Sequence, residues 1–273
     1  MQPFRTYLPV PELRPYVKLY LVLESDFGDG LTMDAVPRGL PVLGFSFRPD
    51  QAIQWTKKEG KPSLGKSTLL GQTTRTVSCL MHGVHQTIYA VFQPTGLHPF
   101  VRHDMQTFTD EECALDDMPW IAREHNLPEQ LSQAITDTER IGLIETLLIK
   151  RLHQVHCWAD HTGEVIRLID ASNGNLRIED VAAYFRISRR SLERHFLEHV
   201  GLNPKHYANI MRFRYVMSYL HDNPGASWLD LTHLGNFADQ SHLIRHFRGF
   251  TNLSPAAFLA RDHQLDKLFL EMT

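Results

Sequence analysis

The chain has 273 residues, of which 42% are hydrophobic and 22% charged, a composition typical of a soluble globular protein with one or two domains. No apolar run reaches the roughly 18 residues that span a bilayer, and the first ten residues lack the apolar stretch of a signal peptide, so we expect no membrane partner. The three cysteines, Cys79, Cys113 and Cys157, form no C-x-x-C pair, which favours a reducing, cytoplasmic location.

The net charge of −3 is unevenly divided along the chain. Residues 164–261 hold 12 Lys and Arg against 9 Asp and Glu, and the other residues hold 16 against 22. The C-terminal part is therefore weakly basic. This asymmetry alone is too small to establish nucleic-acid binding. The positions of the arginines in the predicted helices are therefore more informative than the net charge.

The first hundred or so residues predict short strands separated by turns. Runs typical of strands cover residues 16–23, 40–47 and 87–92. Glycine, proline and aspartate at 27–30 and 48–50 supply the chemistry of tight turns. This pattern predicts a β-barrel of cupin type or a β-sandwich.

Apolar residues then recur at three- and four-residue spacing over 135–152, which predicts an amphipathic helix. Its apolar face has two explanations that periodicity cannot separate, packing against the barrel or a dimer interface. Beyond a break near residue 160 the chain predicts helices joined by short polar turns. We therefore expect an α+β fold, with a regulatory domain at 1–155, a linker at 156–163 and an all-α domain at 164–265.

A helix-turn-helix pattern begins the all-α domain. Residues 178–185 predict a short amphipathic helix, and Ser188 is placed to cap a second helix by accepting from the free N–H groups of its first turn. In that second helix Leu192 and Phe196 face inward, Gly201 ends the helix, and arginines occupy the outer face. Such a helix enters the major groove of DNA with its N-terminal half.

The same arrangement occurs again further along the chain. Residues 229–234 predict the short helix, Asp239 the cap, and Leu243 and Phe247 the inward face of the following helix. Leu, Arg, His and Phe match in register between the two second helices at an offset of 51 residues. The chain thus holds two helix-turn-helix units, at about 164–204 and 222–262.

A long helix over about 205–221 separates the two units. If that helix is rigid, it places the two major-groove helices in successive groove segments, roughly 34 Å apart. A single chain is then expected to read an asymmetric DNA site made of two boxes.

Both units resemble those of the AraC/XylS-type transcriptional regulators. The run from Phe237 to Phe247, followed by Leu253-Ser-Pro-Ala-Ala-Phe258, is similar to the second DNA-binding unit of that family. Residues 187–196, followed by Gly201-Leu-Asn-Pro204, are similar to the first. The resemblance covers roughly residues 164–262 and has both units in order at the family spacing.

One residue departs from the family pattern. A glycine usually precedes the aromatic residue in the turn of the second unit, and here Asn236 holds that place, with Gly235 one position earlier. Asparagine tolerates a left-handed backbone better than most residues, so we expect the turn to form. Residues 1–150 resemble more loosely the N-terminal domain of one branch of the family, through residues 90–97 and 115–118.

The resemblance implies which side chains meet DNA. Base contacts fall on Arg190, Glu193 and Arg194 in the first unit and on Ser241, His242 and Arg245 in the second. Arginine can donate bidentately to guanine, glutamate can accept from the cytosine amine, and serine or histidine can bond several base edges. Arg189, Lys205 and Gln240 are assigned to phosphate, which fixes the register without reading the sequence. For any single arginine the competing explanation is a solvated surface charge.

The resemblance also implies partners and regulation. It implies that the N-terminal domain senses a small-molecule effector, mediates homodimerisation, or both. Duplex promoter DNA and RNA polymerase are the expected macromolecular partners. We expect a sequence-specific regulator with no cofactor, no metal and no catalytic residue.

Residues 60–67 match the G-x-x-x-x-G-K-S expression of a nucleotide-binding P-loop. That loop functions between a buried strand and a helix whose N-terminus receives the phosphates. Here Lys57, Lys58 and Glu59 precede the match and a threonine-rich stretch follows it, which favours a strand or a turn over a helix. We therefore predict a hairpin loop and no bound nucleotide.

Histidine spacings also suggest metal chemistry. His195, Glu198 and His199 match the H-x-x-E-H pattern of zinc peptidases, but a zinc enzyme also needs a third ligand and an open cleft. Two further groups are His82, His85, His98 and His103 in the N-terminal half and His153, His156, Cys157 and His161 near the domain junction. In a chain with 16 histidines such spacings arise by chance, so we predict no metal site.

Two other classes of protein remain as alternatives. One is a metal- or nucleotide-dependent enzyme that carries a DNA-binding appendage, and a substrate-dependent turnover would identify it. The other is an adaptor whose helix-turn-helix units bind protein. Salt dependence separates that adaptor from a DNA-binding protein, because the release of counterions from phosphates makes DNA affinity fall steeply with salt.

Overall fold

The computed structural model describes residues 4–48, 67–81, 83–115, 118–122, 124, 126–154, 161–223, 225–254 and 257–258. Two large hydrophobic cores divide these residues. The first lies in the β-rich N-terminal half, between Leu13 and Leu148. The second lies in the helical half, between Val165 and Phe258, and takes Val36 from the N-terminal half. The expected α+β fold is confirmed.

Strands and short helices build the N-terminal half. The strands are β1 (Phe4–Tyr7), β2 (Val17–Asp26), β3 (Leu31–Ala35), β4 (Val42–Ser46), β5 (Ser67–Leu70), β6 (Val77–Met81), β7 (Val84–Phe92) and β8 (Glu112–Ala114). The helices are α1 (His98–Val101), α2 (Pro119–Ala122) and α3 (Leu127–Gln133), with 3₁₀ segments at Pro11–Leu13 and Met105–Phe108. The three predicted strands correspond to β2, β4 and β7. Strand β5 begins where the sequence favoured a strand or a turn, and the remaining strands were not predicted.

Six strands form one antiparallel sheet in the order β1-β2-β7-β4-β5-β8, and β3 pairs with β6 in a second sheet. Ala90 on β7 lies opposite Tyr20 on one side and Leu43 on the other, so β7 is a central strand. Tyr20 and Leu21 are both buried, in different clusters, which explains why β2 lacks polar alternation. Within the described ranges β1 and β8 are sheet edges, and no pairing between them closes a barrel.

Helix α4 (Asp137–Leu152) packs into the core of the N-terminal half. It begins after Thr136, whose side chain forms a capping box with Glu139. Ile144 and Leu148 are fully buried in that core. Of the two explanations for the apolar face of this helix, the structure shows packing within the chain. Ile135 was predicted to belong to this helix, but it precedes the cap and is 85% exposed.

The helical half contains α5 (Thr162–Ala171), α6 (Ile178–Tyr184), α7 (Arg189–Val200), α8 (Pro204–Asp222), α9 (Trp228–Leu234) and α10 (Gln240–Thr251). The predicted long helix is α8, one residue longer at each end than expected. Helix α5 begins at Thr162, within the last two residues of the predicted linker, 156–163, and its Val165 and Ile169 pack into the second core. Among the described helices, none combines the length and apolarity needed to cross a membrane.

Most of the P-loop match lies outside the described ranges, since they exclude residues 60–66. Its last residue, Ser67, begins strand β5 and pairs with Phe45 on β4. A phosphate-binding loop would lead into a helix N-terminus at this point. The prediction that a strand or a turn, not a helix, follows the match is therefore confirmed. The predicted hairpin loop itself lies outside the described ranges.

Candidate DNA-binding surface

Four residues, 185–188, join α6 to α7 in the first unit. Arg186 adopts a left-handed backbone conformation with φ 55°. Its N–H donates to the carbonyl of Ala183 at 3.1 Å, and the next N–H donates to the carbonyl of Ala182 at 3.0 Å. These bonds satisfy carbonyls that the end of α6 leaves without helical partners and reverse the chain toward α7.

Five residues, 235–239, make the corresponding turn in the second unit, one more than in the first. Asn236 has φ 50°, and its N–H donates to the carbonyl of His233 at 3.0 Å. The following N–H donates to the carbonyl of Thr232 at 2.9 Å. The hydrogen-bond pattern is the same as in the first unit, so the prediction that asparagine preserves the turn is confirmed.

Side-chain caps define the starts of α7 and α10, which we call the reading helices. The Oγ of Ser188 accepts from the N–H of Ser191 at 3.1 Å, and the Oδ1 of Asp239 accepts from the N–H of His242 at 2.7 Å. Both predicted caps are confirmed. Each cap satisfies a free N–H group of the first helical turn. In helix-turn-helix proteins of known structure this is the part of the second helix that enters the major groove.

The inner faces of both reading helices are buried as the periodicity predicts. The predicted residues are buried: Leu192, Phe196 and Val200 on α7 and Leu243 and Phe247 on α10. Phe250 and Thr251 of α10, which were not predicted, are buried as well. Phe213 of α8 contacts Phe247 and Phe250 with ring centroids 5.3 Å and 5.0 Å apart. Tyr207 of α8 contacts Phe196 at 5.9 Å. The long helix α8 thus packs on the inner faces of both units.

The outer faces carry the side chains that the sequence assigns to DNA. Seven of the nine are exposed: Arg189, Arg190, Arg194, Lys205, Gln240, Ser241 and Arg245. Glu193 and His242 are half-buried. Lys205 lies outside both reading helices, in the first turn of α8. The fold thus leaves most of the assigned side chains accessible, and their contacts with DNA stay a prediction.

Arg189 is held by two carboxylates. Its Nη1 donates to Oε1 of Glu179 on α6 at 2.9 Å, and its Nε donates to Oε1 of Glu193 at 2.8 Å. The hydrogen bond and charge of Glu193, together with the charge of Glu179, raise the pKa of Arg189. The network joins the two helices of the first unit and involves Glu193, the residue assigned to cytosine.

His242 combines a contact in the turn with its assigned DNA contact. Its Nδ1 accepts from the N–H of Ala238 at 3.5 Å, and its ring meets Phe237 edge to face at 5.4 Å. Because this contact orients Nδ1 toward the turn, Nε2 is the nitrogen that would meet a base edge.

Sequence reasoning gave no role to His246, which the structure places inside the second unit. Its ring lies between Phe237 and Phe250, with centroids 5.1 Å and 5.0 Å away. Burial, aided by the positive charge of Arg212, lowers the pKa of His246 to about 4. The repeat aligns His246 with His195, which gives no sign that His246 packs among aromatic rings. The only sequence signal for that packing was the presence of apolar residues near His246.

The N-terminal half contacts the C-terminal ends of both reading helices. The Oγ1 of Thr109 donates to the carbonyl of Gly201, the residue that ends α7, at 2.5 Å. The N–H of Thr76 donates to the carbonyl of Phe250 on α10 at 2.7 Å. Gly201 has φ 89°, and a Cβ there would lie 2.8 Å from the carbonyl oxygen of Met105. Glycine is therefore suited to this position for two reasons: it adopts the left-handed conformation that ends the helix, and it leaves room for the carbonyl of Met105.

Two capped reading helices with exposed arginines, fixed to one long helix, define a DNA-binding transcriptional regulator. Residues 181–261 match the family model of a helix-turn-helix domain, and residues 5–114 match a domain of unknown function (DUF6597). The family model thus supports the helix-turn-helix assignment of the C-terminal half. No curated protein matches the sequence significantly.

Several solved structures are similar to the chain. ToxT from Vibrio cholerae is 14% identical, with 94% of this chain and 98% of ToxT covered at a TM-score of 0.46. Wild-type ToxT of Vibrio cholerae strain SCE256, with an unsaturated fatty acid bound, is 15% identical, with 88% and 94% covered at a TM-score of 0.45. The AraC-like transcriptional activator CuxR is 16% identical, with 84% and 91% covered at a TM-score of 0.24.

Proposed function

We propose that the chain reads an asymmetric DNA site of two boxes, with α7 and α10 in successive major-groove segments. The observation that carries this proposal is the common support of the two reading helices. Both pack their apolar faces on α8, which has 19 residues and is about 28 Å long at roughly 1.5 Å per residue. That length is of the order of one turn of DNA, roughly 34 Å.

We further propose that the N-terminal domain regulates DNA binding through its contacts with the ends of the reading helices. Thr109 and Thr76 hold the carbonyls of Gly201 and Phe250, so displacement of either segment changes how the units are held. A small molecule or a second copy of the chain that binds one position of these segments more tightly shifts the population of chains toward that position. The size of the shift is set by the difference in affinity for the two positions. The proposal includes RNA polymerase as a partner and a cytoplasmic location, and it assigns no catalysed reaction.

Selection of bound sequences from random duplex DNA by the full-length chain, at near-physiological salt, tests the two-box proposal. We expect an enriched motif with two different boxes whose centres are about 10–10.5 base pairs apart. Affinity for the selected site should fall linearly with salt on logarithmic axes, as the release of phosphate counterions requires. A single enriched box would contradict the use of both units. No enrichment, together with a salt-independent partner, would favour the protein-binding adaptor.

The regulatory contact is tested by Thr109→Val, which removes the hydroxyl donor to Gly201 with little change in volume. We expect a DNA affinity different from that of the parent chain and a thermal unfolding midpoint of the N-terminal domain that is nearly unchanged. Thr107→Val, at an exposed position on the same segment, is the matched control. Equal DNA affinity in all three proteins would exclude this contact from regulation.

A further inference from the structure

We propose that His98, Glu198 and His199 bind a divalent cation of the zinc type where the N-terminal domain meets the first reading helix. Each of the three offers one ligand atom, and these atoms all lie within 4.8 Å of one another. His98 is the first residue of α1, whereas Glu198 and His199 belong to the last turn of α7. The site therefore bridges the two halves of the chain.

The surrounding fold brings these residues together. The rings of His98 and His199 have centroids 4.4 Å apart. Two residues beyond His199, the hydrogen bond from Thr109 to Gly201 fixes the end of α7 against the same part of the N-terminal half. The two histidines thus lie in a packed contact between the halves of the chain, and Glu198 lies at its exposed edge.

The donor set suits zinc. Two imidazole nitrogens and one carboxylate oxygen form a ligand set that zinc accepts in a tetrahedral site, with the fourth position left to water. Zinc–ligand bonds of about 2.0–2.1 Å place neighbouring ligand atoms about 3.4 Å apart. The ligand atoms therefore need to approach by about 1.4 Å at most. Glu198, whose Oε1 lies 3.8 Å from Nε2 of His199, has a half-exposed side chain that can turn toward the ion.

A buried hydroxyl orients one ligand. The Oγ1 of Thr162, in the first turn of α5, lies 3.5 Å from Nδ1 of His199. The other ring nitrogen, Nε2, lies 3.8 Å from Oε1 of Glu198. A metal-ligating histidine usually donates its other ring N–H to an oxygen acceptor, which fixes the ring. The Oγ1 of Thr162 is placed to accept from Nδ1 while Nε2 faces the metal. Thr162 is thus a positioning residue for the proposed site.

The ligand set differs from the sequence pattern that first suggested zinc. His195 stacks on His199 at 6.3 Å but stays outside the cluster, and Nη2 of Arg194 lies 3.4 Å from its Nε2. The third ligand that the sequence pattern lacked comes instead from His98, a hundred residues earlier. Sequence spacing cannot reveal such a partner, because the two segments meet only in the folded chain.

The other histidine groups do not assemble in this way where the structure describes them. His85 is buried in β7, His103 is exposed, and His153 and His161 each face a single glutamate, Glu12 and Glu164. His82, His156 and Cys157 lie outside the described ranges.

Metal binding to the untagged, full-length chain tests the proposal without DNA, so its outcome is independent of the proposed function. After chelator treatment, equilibrium dialysis against Zn²⁺ should give one high-affinity ion per chain. His98→Ala and His199→Ala should each weaken Zn²⁺ binding by more than about 100-fold, since even the hydrogen-bond partners of metal ligands are worth about 10–100-fold. Thr162→Val should cost about 10-fold, and Thr162→Ser should restore the affinity.

His103→Ala is the matched control, because this exposed histidine lies five residues from His98 in sequence. It should bind Zn²⁺ like the parent chain. Thermal unfolding in chelator establishes that the variants are folded, and Co²⁺ spectra of the parent chain report ligand geometry without any substitution. A tetrahedral spectrum with nitrogen ligands is expected. An octahedral, all-oxygen spectrum, or full Zn²⁺ affinity in both His98→Ala and His199→Ala, would overturn the proposal.

Discussion

The Nε of Arg189 donates a hydrogen bond to Oε1 of Glu193 at 2.8 Å, one turn further along α7. The same guanidinium also bonds Glu179 on the preceding helix. Glu193 is therefore already paired in the free protein, although it is the residue assigned to accept from a cytosine amine. To accept a hydrogen bond from a base, Glu193 must either release Arg189 or bind both partners at once.

Replacement of Glu193 should weaken the preference for one base and raise the affinity for DNA phosphates. In Glu193→Ala we expect the preference for cytosine at one position to be lost, because no acceptor remains for its amine. Affinity for non-specific duplex should rise, because Arg189 is freer to meet phosphate, with a salt slope steeper by about one. Competition binding at several salt concentrations measures both effects.

Glu179→Ala is the matched control for that experiment, because it removes the other carboxylate that binds Arg189 and leaves Glu193 in place. It should raise non-specific affinity while the base preference stays unchanged. If Glu193→Ala kept the full cytosine preference, the assignment of Glu193 to base reading would be wrong.

Arg194 and Arg245 occupy equivalent exposed positions on the two reading helices. We expect Arg194→Ala and Arg245→Ala each to relax discrimination at one base position of its own box, by about 1–3 kcal/mol. Binding to sites with single base-pair changes measures this. Arg167→Ala, on the exposed face of α5, is the control and should leave discrimination unchanged. Uniform weakening on all sequences by both variants would show that these arginines contact phosphate only.

The left-handed residues of the two turns predict opposite responses to glycine and alanine. Asn236→Ala should destabilise the helical half by about 1 kcal/mol, because a Cβ-bearing residue other than Asn or Asp is costly at φ 50°, whereas Asn236→Gly should not. In the first unit Arg186→Gly should stabilise by up to about 1 kcal/mol for the same reason. Denaturant unfolding measures these changes. Equal stability of the Ala and Gly variants at 236 would refute the strain argument.

The reading helices could be predicted because their signals are local. Leu192 and Phe196 recur at the helical period, and Ser188 and Asp239 cap the first turn that follows them. A cap and an apolar stripe need no distant partner to be recognised. The exposed positions on the opposite face, such as Arg245, follow from the same periodicity.

The sheet was only partly predicted because its pairing is not local. Strands β3 and β6 meet through Leu31 and Met81, fifty residues apart, and each strand has five residues. Strand β2 is buried on both faces, so Tyr20 and Leu21 give no alternation that would mark an inner and an outer side. The order of six strands depends on contacts that no segment encodes alone.

The candidate DNA surface shows the same division. Exposure of the assigned arginines was predictable, but the capture of Arg189 by Glu179 depends on how α6 crosses α7. The approach of His98 to His199 depends on how two domains pack. These contacts form only in the tertiary structure. The sequence therefore indicated Arg189 and His199 as candidate residues but not the side chains that they contact.

His246 links the stability of the second unit to pH. Its Nε2 has no hydrogen-bond partner among the described residues, and its ring is enclosed by Phe237 and Phe250. Burial lowers the pKa of this imidazole to about 4, from an ordinary value of 6.5. Between these values the unfolded chain binds a proton that the folded chain does not. The stability that His246 contributes is therefore present above pH 6.5 and is lost as the pH falls toward 4.

Replacement of the imidazole by an apolar ring should remove this pH dependence. In His246→Phe we expect the free energy of unfolding to fall less between pH 7 and pH 4 than in the parent chain, by about 3 kcal/mol for a pKa difference of about 2.5. Urea unfolding at several pH values measures the difference, and His233→Phe, at an exposed position on α9, is the matched control. If His246→Phe and His233→Phe lost stability equally between pH 7 and pH 4, the enclosed imidazole would not be the source of the acid sensitivity, and protonation of carboxylates in the N-terminal half would have to account for it.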